Sequence, residues 1–216
     1  MGRKPSLKFE RSHWRVGTDL VAGVDEVGRG PLAGPVAAGA VVLPPDARAS
    51  GRFRWLPRVN DSKVLTRLAR EELAEEIWEH SVSAAVAFVG VDDIDRIGIA
   101  EASRQSMLAA VGDLAQRPQH LLIDGFGLKS CALPQTAIIG GDGLSISIAC
   151  ASIIAKVARD SVMRDHDALY PEYRFASNKG YATAEHMRAI RSVGPCELHR
   201  KTFSPVREMV LQPFLI

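Results

Sequence analysis

An apolar run that stops at two adjacent acids, followed by a glycine-flanked arginine, constrains this chain more than any other stretch. Residues 20–30 read Leu-Val-Ala-Gly-Val-Asp-Glu-Val-Gly-Arg-Gly. Neighbouring strand residues face opposite ways, so a strand covered on both faces rarely carries Asp25-Glu26 in its middle. Buried, the pair needs a cation, a metal or a shifted pKa; exposed, it marks a solvated strand end. Gly28 and Gly30 permit φ > 0 and bring bare N–H groups close to a ligand, and Arg29 between them suits phosphate. Acids beside such a turn suggest a metal bridging protein and nucleic-acid backbone. The solvated strand end is the competing reading.

The rest of the chain alternates. Residues 20–25 and 35–43 read as buried strands joined by the glycine turn, and a Pro/Arg-rich loop from Pro44 closes on Asn60-Asp61-Ser62-Lys63. Leu65, Ala69, Leu73 and Ile77 recur at i+4 and predict a helix over 66–79 with Thr66 as N-cap. Residues 83–89 read as a strand, 92–114 as a helix with a possible break at Gly98, and 120–124 and 136–139 as strands. The strongest helix is predicted over 146–169, with a last pair near 184–192 and 205–211. Strands interleaved with helices imply an α/β sheet layered with helices.

At 216 residues the chain is long enough for one domain with a sizeable core, and no repeat divides it. Its 46% hydrophobic and 24% charged content is that of an ordinary globular protein. A net charge of +2 argues against coating a polyanion wholesale but leaves room for a local basic groove. Arg3, Lys4, Lys8, Arg11 and Arg15 stand against Glu10 alone and are read as a solvated tail, with nucleic-acid contact as the alternative. Cys131, Cys150 and Cys196 lack metal-type spacing, Cys150 reads as a small buried thiol, and a reducing, cytoplasmic setting is expected. No apolar stretch approaches the ~20 residues of a membrane-spanning helix, and the polar start does not read as a signal peptide.

Acids recur in one structural position. Asp25, Asp124 and Asp142 each close a strand-like run at or near a glycine, and ligands of open α/β sheets collect at strand ends. Carboxylates without His or Cys partners suit hard cations such as Mg²⁺ or Mn²⁺, and four of them are what two-metal phosphoryl transfer needs. Asp before Gly is also a common turn signature, so Asp124 or Asp142 taken singly carries both readings.

Val24-Asp25-Glu26-Val27-Gly28-Arg29-Gly30-Pro31-Leu32-Ala33-Gly34-Pro35-Val36 resembles the N-terminal signature of ribonuclease HII. Asn60-Asp61-Ser62-Lys63, Ile123-Asp124-Gly125, Gly141-Asp142, the run 151–160 and Lys179-Gly180-Tyr181-Ala182-Thr183 are similar to that family's later blocks, in order. The likeness runs from about residue 20 to residue 206. Gly98 departs from a frequent asparagine, Gly140 from a frequent lysine, and Phe126 and Gly143-Leu144 fill loop positions that are often polar or basic.

The resemblance implies a ribonuclease H-like mixed sheet flanked by helices. It also implies a single catalytic domain over 1–216, with a core at about 20–165 and a C-terminal helical extension at about 166–216. It implies cleavage of RNA in RNA–DNA hybrids and incision 5′ to single ribonucleotides in duplex DNA, as in ribonucleotide excision repair, with 3′-hydroxyl and 5′-phosphate products. Asp25, Glu26, Asp124 and Asp142 become the metal ligands for two ions, Mn²⁺ or Mg²⁺. Gly28, Arg29 and Gly30 address the ribose 2′-hydroxyl, Tyr181 stacks on the next, deoxy, sugar, and Lys63 and Lys179 hold phosphates. For Lys156 and Arg159, with Asp160 adjacent, local pairing and substrate contact stand as equal readings; Ser152 is read as packing or capping near the site, and His199 as structural. Ribonuclease HIII and a catalytically inactive hybrid-binding module are the alternative readings. A monomer without membrane contact is expected; a sliding clamp is a further possible partner, for which Gln212-Pro213-Phe214-Leu215 is only faintly suggestive.

Overall fold

The structure is a computed structural model that describes residues 4–211, so the clamp-type segment lies outside the described residues. Five strands form one sheet: β1 (Val21–Val27), β2 (Val36–Val42), β3 (Ser83–Val89), β4 (His120–Asp124) and β5 (Gln135–Ile138), in the order β3-β2-β1-β4-β5. The pairs β1–β2 and β2–β3 run antiparallel, whereas β1–β4 and β4–β5 run parallel. The helices are α1 (Lys8–Trp14), α2 (Arg67–His80), α3 (Val91–Ile97), α4 (Ile99–Gly112), α5 (Ile146–Leu169), α6 (Phe175–Asn178), α7 (Ala184–Val193) and α8 (Val206–Leu211). Among the described residues, no helix is long and apolar enough to cross a membrane.

Both faces of the sheet are covered, which accounts for its apolar strands. On one face Ala22 and Val24 pack with Ala110 and Val111 of α4. On the other, α5 lies against β1 and β2 with unusual closeness. A Cβ on Gly23 would sit 2.1 Å from the Ser147 backbone, and one on Gly39 would sit 2.2 Å from the Ala151 carbonyl. Only glycine admits that approach, and it brings α5 side chains to the end of β1. A third cluster joins Leu32 and Ala33 to Phe175, Ile190 and Val206, fastening the C-terminal helices to the segment after the glycine turn.

The expected elements form, and the helix over 92–114 breaks where the sequence allows it, Gly98 at φ 81° capping α3 and opening α4. Two amendments remain. β1 continues through both acids to Val27 instead of stopping at residue 25. The N-terminal segment is not a solvated tail. Its helix α1 docks through the fully buried Glu10, which accepts hydrogen bonds from Ser145 Oγ (2.6 Å), Ser147 N (2.9 Å) and Ser147 Oγ (2.7 Å). A carboxylate there satisfies orphan N–H groups and the positive end of α5.

Candidate active site

Strand register assembles the acids. In the parallel pair β1–β4, Val24 stands beside Ile123, so Asp25 and Asp124 come next on adjacent strands. Asp124 itself pairs with Ile138 of β5, and the chain then turns through Gly140 (φ 67°) to Asp142. Because side chains alternate, Asp25 turns to the α5 face with Gly23, and Glu26 to the α4 face with Ala22 and Val24.

Each acid has a polar contact. Asp25 is 4% exposed; it accepts from the Glu26 N–H at 2.8 Å and also engages Ser152, which is itself bonded to Ser62 (3.0 Å). Glu26 pairs with Arg29 at 3.1 Å. Asp124 accepts from the Gly141 N–H at 2.6 Å, and Asp142 pairs with Lys63 at 3.1 Å. Burial, then the charges of Asp124 and Glu26, hold the Asp25 carboxyl well above the usual carboxylate range. Burial likewise raises Glu26, against the pull of Arg29, and raises Asp124, against the Gly141 N–H. Partial burial of Lys63 opposes its charge, but Asp142 outweighs it and raises the ammonium.

Among the described residues no three His, Cys, Asp or Glu side chains stand as a ready metal cage. The carboxylates instead meet Arg29, Lys63 and backbone N–H groups. The donor set nonetheless fits a hard divalent cation. It is all oxygen, partly buried and charge-crowded, and a cation would relieve both burial and repulsion.

Asp25, Glu26, Asp124, the turn Gly28–Gly30, Lys63 and Tyr181 line one cleft of about 270 Å³. Lys179 is not among its lining residues: its ammonium bonds the Ala176 carbonyl and burial lowers its pKa. Gly28 has φ 88°, and a Cβ there would strike the Arg159 guanidinium at 2.2 Å. Gly30 has no positive φ, and its Cβ would meet only the Tyr181 ring, at 3.9 Å. The two glycines of the turn therefore have different reasons to be glycine.

Of the two readings for Lys156, local pairing appears, with Asp160 at 2.6 Å, whereas Arg159 does not pair with it. Arg159 and Arg200 are almost fully buried and donate to carbonyls instead of acids. Arg200 reaches Gly28 (2.6 Å), Arg29 (2.8 Å) and Gly34 (2.8 Å), and Arg159 reaches Ala33 (3.1 Å), Pro35 (2.8 Å) and Lys179 (3.1 Å). Burial, then the charge of Arg159, lowers Arg200 to about 9. The histidine pair extends this frame. The Cys196 N–H donates to His199 Nδ1 (3.0 Å), His199 Nε2 then donates to His186 Nε2 (3.1 Å), and His186 Nδ1 donates to the Tyr181 carbonyl (2.8 Å). His199 is thus structural, as its sequence context suggests, but its chain of bonds ends on a cleft residue. No spacing rule connects these residues to the turn.

The family model for Ribonuclease HII matches residues 22–206. A ribonuclease HII of Anaeromyxobacter sp. is 49% identical over 202 residues, covering 94% of this chain and 62% of the relative's own length. One from Moorella thermoacetica is also 49% identical, over 90% of this chain and 91% of its own. The crystal structure of ribonuclease H2 from Pyrococcus horikoshii superposes with a TM-score of 0.73 at 25% identity, covering 89% of this chain and 97% of that one.

Proposed function

The chain belongs to the ribonuclease HII family, metal-dependent endoribonucleases of the ribonuclease H type, and from that premise we propose that it cleaves the RNA strand of RNA–DNA hybrids and incises 5′ to single ribonucleotides in duplex DNA. The products carry 3′-hydroxyl and 5′-phosphate ends. One observation carries the reading: Asp25, Glu26, Asp124, the Gly28–Gly30 turn and Tyr181 line a single cleft, and Asp142, outside that lining, is joined to it through Lys63. Asp25, Glu26, Asp124 and Asp142 would hold two divalent ions, Mn²⁺ or Mg²⁺. Bound there, the ions supply an activated water and offset charge on phosphorus and the leaving 3′-oxygen.

The chain's own residues do the rest. Arg29 and Lys63, each on a carboxylate in the free protein, exchange that partner for phosphate when substrate arrives. Lys179 meets a phosphate only after leaving Ala176. Backbone groups of Gly28, Arg29 and Gly30 contact the ribose 2′-hydroxyl, the group that tells RNA from DNA. The Tyr181 ring, 45% exposed, packs on the following deoxy sugar, where a 2′-hydroxyl would clash. Residues 20–165 and the part from 166 on act as one catalytic unit, a cytoplasmic monomer.

Cleavage mapping on a duplex with one ribonucleotide tests this reading. Incision 5′ to the ribonucleotide is expected, and Tyr181→Ala should cut it at least about tenfold more slowly, as for loss of a substrate-positioning contact. Duplex binding should fall less, because phosphate contacts carry most affinity. Equal rates for parent and Tyr181→Ala would remove Tyr181 from the site.

A further inference from the structure

A second cavity, of about 720 Å³, opens from the same acids. It shares Glu26, Arg29 and Asp124 with the catalytic cleft, then diverges from it. The cleft runs to Tyr181, whereas this groove runs between the first turns of α4 and the loop after β4, to Phe126 and Lys129. Glu26 points into it because the alternation of β1 sends that side chain to the α4 face.

The loop presents Phe126 outward by construction. Leu128 is buried at 1% exposure, and Gln135 clamps the backbone beside it, accepting from Leu128 N (2.7 Å) and donating to Leu128 O (3.0 Å) and Cys131 O (3.3 Å). Phe126, two residues before that anchor, is left 82% exposed. A lone exposed apolar side chain is ordinary. This one stands at the mouth of a groove that begins at the carboxylates, with exposed Lys129 and Arg104 beside it.

A duplex gripped at one phosphate must continue in both directions. The geometry points to a second nucleic-acid subsite in this groove, in which Phe126 packs on a sugar and Lys129 meets a phosphate of the substrate upstream (5′) of the scissile bond. The assignment rests on the proposed reading of the cleft, since Tyr181 on the downstream sugar leaves the diverging groove to the upstream side. Aromatic contact needs no particular base, and the lysine adds charge, so the subsite strengthens binding without reading sequence. Arg104, paired with Glu101 at 2.9 Å, flanks the path.

Binding measured by fluorescence anisotropy in EDTA, where no cleavage occurs, tests the subsite on three duplexes with one ribonucleotide: full length, shortened upstream, and shortened downstream. Phe126→Ser should weaken binding of the full duplex about 5–10-fold, the low end for aromatic–nucleotide contact. Phe126→Trp should restore it. Lys129→Ala should lower the slope of log K against log salt by about one. Both losses should vanish on the upstream-shortened duplex and persist on the downstream-shortened one. Unchanged binding of the full duplex by Phe126→Ser, or a loss abolished by downstream shortening, overturns the subsite. Tyr181→Ala, run in parallel for single-ribonucleotide cleavage, separates the two claims. A silent Tyr181 variant with the upstream pattern of Phe126 intact would sink the role of Tyr181 while upholding the groove.

Discussion

Two buried, charged regions meet at the glycine turn, and they handle charge in opposite ways. At the sheet end, carboxylates crowd one another, and burial with their mutual repulsion raises Asp25 and Asp124 above the usual carboxylate range. Behind the turn, Arg159 and Arg200 are cations with no carboxylate partner in their hydrogen bonds, held by backbone carbonyls of residues 28–35 and 179. The acid end gathers like charges. The brace is already complete, and its role is to keep the turn and the Tyr181 segment in one frame. Charge crowding costs stability where chemistry needs it, while a carbonyl-satisfied guanidinium fork supplies rigidity next door.

The largest effect should come from breaking the acid end. Asp25→Asn or Asp124→Asn should lower turnover by at least about 10²–10³-fold, the scale on which a lost electrostatic stabiliser acts. The metal-free melting temperature should hold or rise, since repulsion is relieved. A loss of activity accompanied by unfolding would show that the acids are structural.

Breaking the brace should do the reverse. Arg200→Met strands the carbonyls of Gly28, Arg29 and Gly34 and should cost about 3–5 kcal/mol in urea unfolding, from ~1–3 kcal/mol per unsatisfied buried group. Arg200→Lys should recover little, because one ammonium cannot reproduce the planar fork. Full recovery by lysine would reduce the brace to simple charge.

Acid should separate the regions further. Burial, aided by His186, holds His199 down to about 4, below its ordinary 6.5. In the window from 6.5 down to about 4 the unfolded chain binds the extra proton, so stability complete above pH 6.5 declines by about 2–3 kcal/mol as pH falls. Asp25 has the opposite sign. Its folded pKa lies above 3.8, so its penalty is present at neutral pH and disappears on acidification. Urea midpoints of His199→Phe should therefore lose the decline, and those of Asp25→Asn should lose the opposing gain. Parallel pH curves for parent and both variants would contradict both assignments.

Gly30→Ala should have the smallest effect on stability. With no positive φ and a nearest contact of 3.9 Å to the Tyr181 ring, it should change unfolding by less than about 0.5 kcal/mol while slowing cleavage, because the added methyl faces the sugar path. A fully active Gly30→Ala enzyme would make that glycine ordinary loop punctuation.

The positions of the acids were legible because Asp25, Glu26, Asp124 and Asp142 follow a local pattern of apolar run, carboxylate and glycine, although β1 runs on past the first two. The long helix over 146–169 appears with the predicted limits for the same reason, and Ser145 caps it. The N-terminal basic cluster misled, because Glu10 finds its donors 135 residues away. Arg159 stayed open in the sequence between local pairing and substrate contact, and in space it meets backbone carbonyls instead of its neighbour Asp160. Gly28 reads as a turn glycine, and only the folded chain shows that its missing Cβ makes room for Arg159.

Local rules of periodicity, capping and turn chemistry thus determined which segments are strands and helices, and placed carboxylates at strand ends, because those rules act over a few residues. The tertiary structure decided which strand ends are neighbours, through the parallel register of β1 and β4. It also decided which backbone carbonyls the two buried arginines must satisfy, because a guanidinium removed from water takes whatever acceptors packing brings within reach, however distant in sequence.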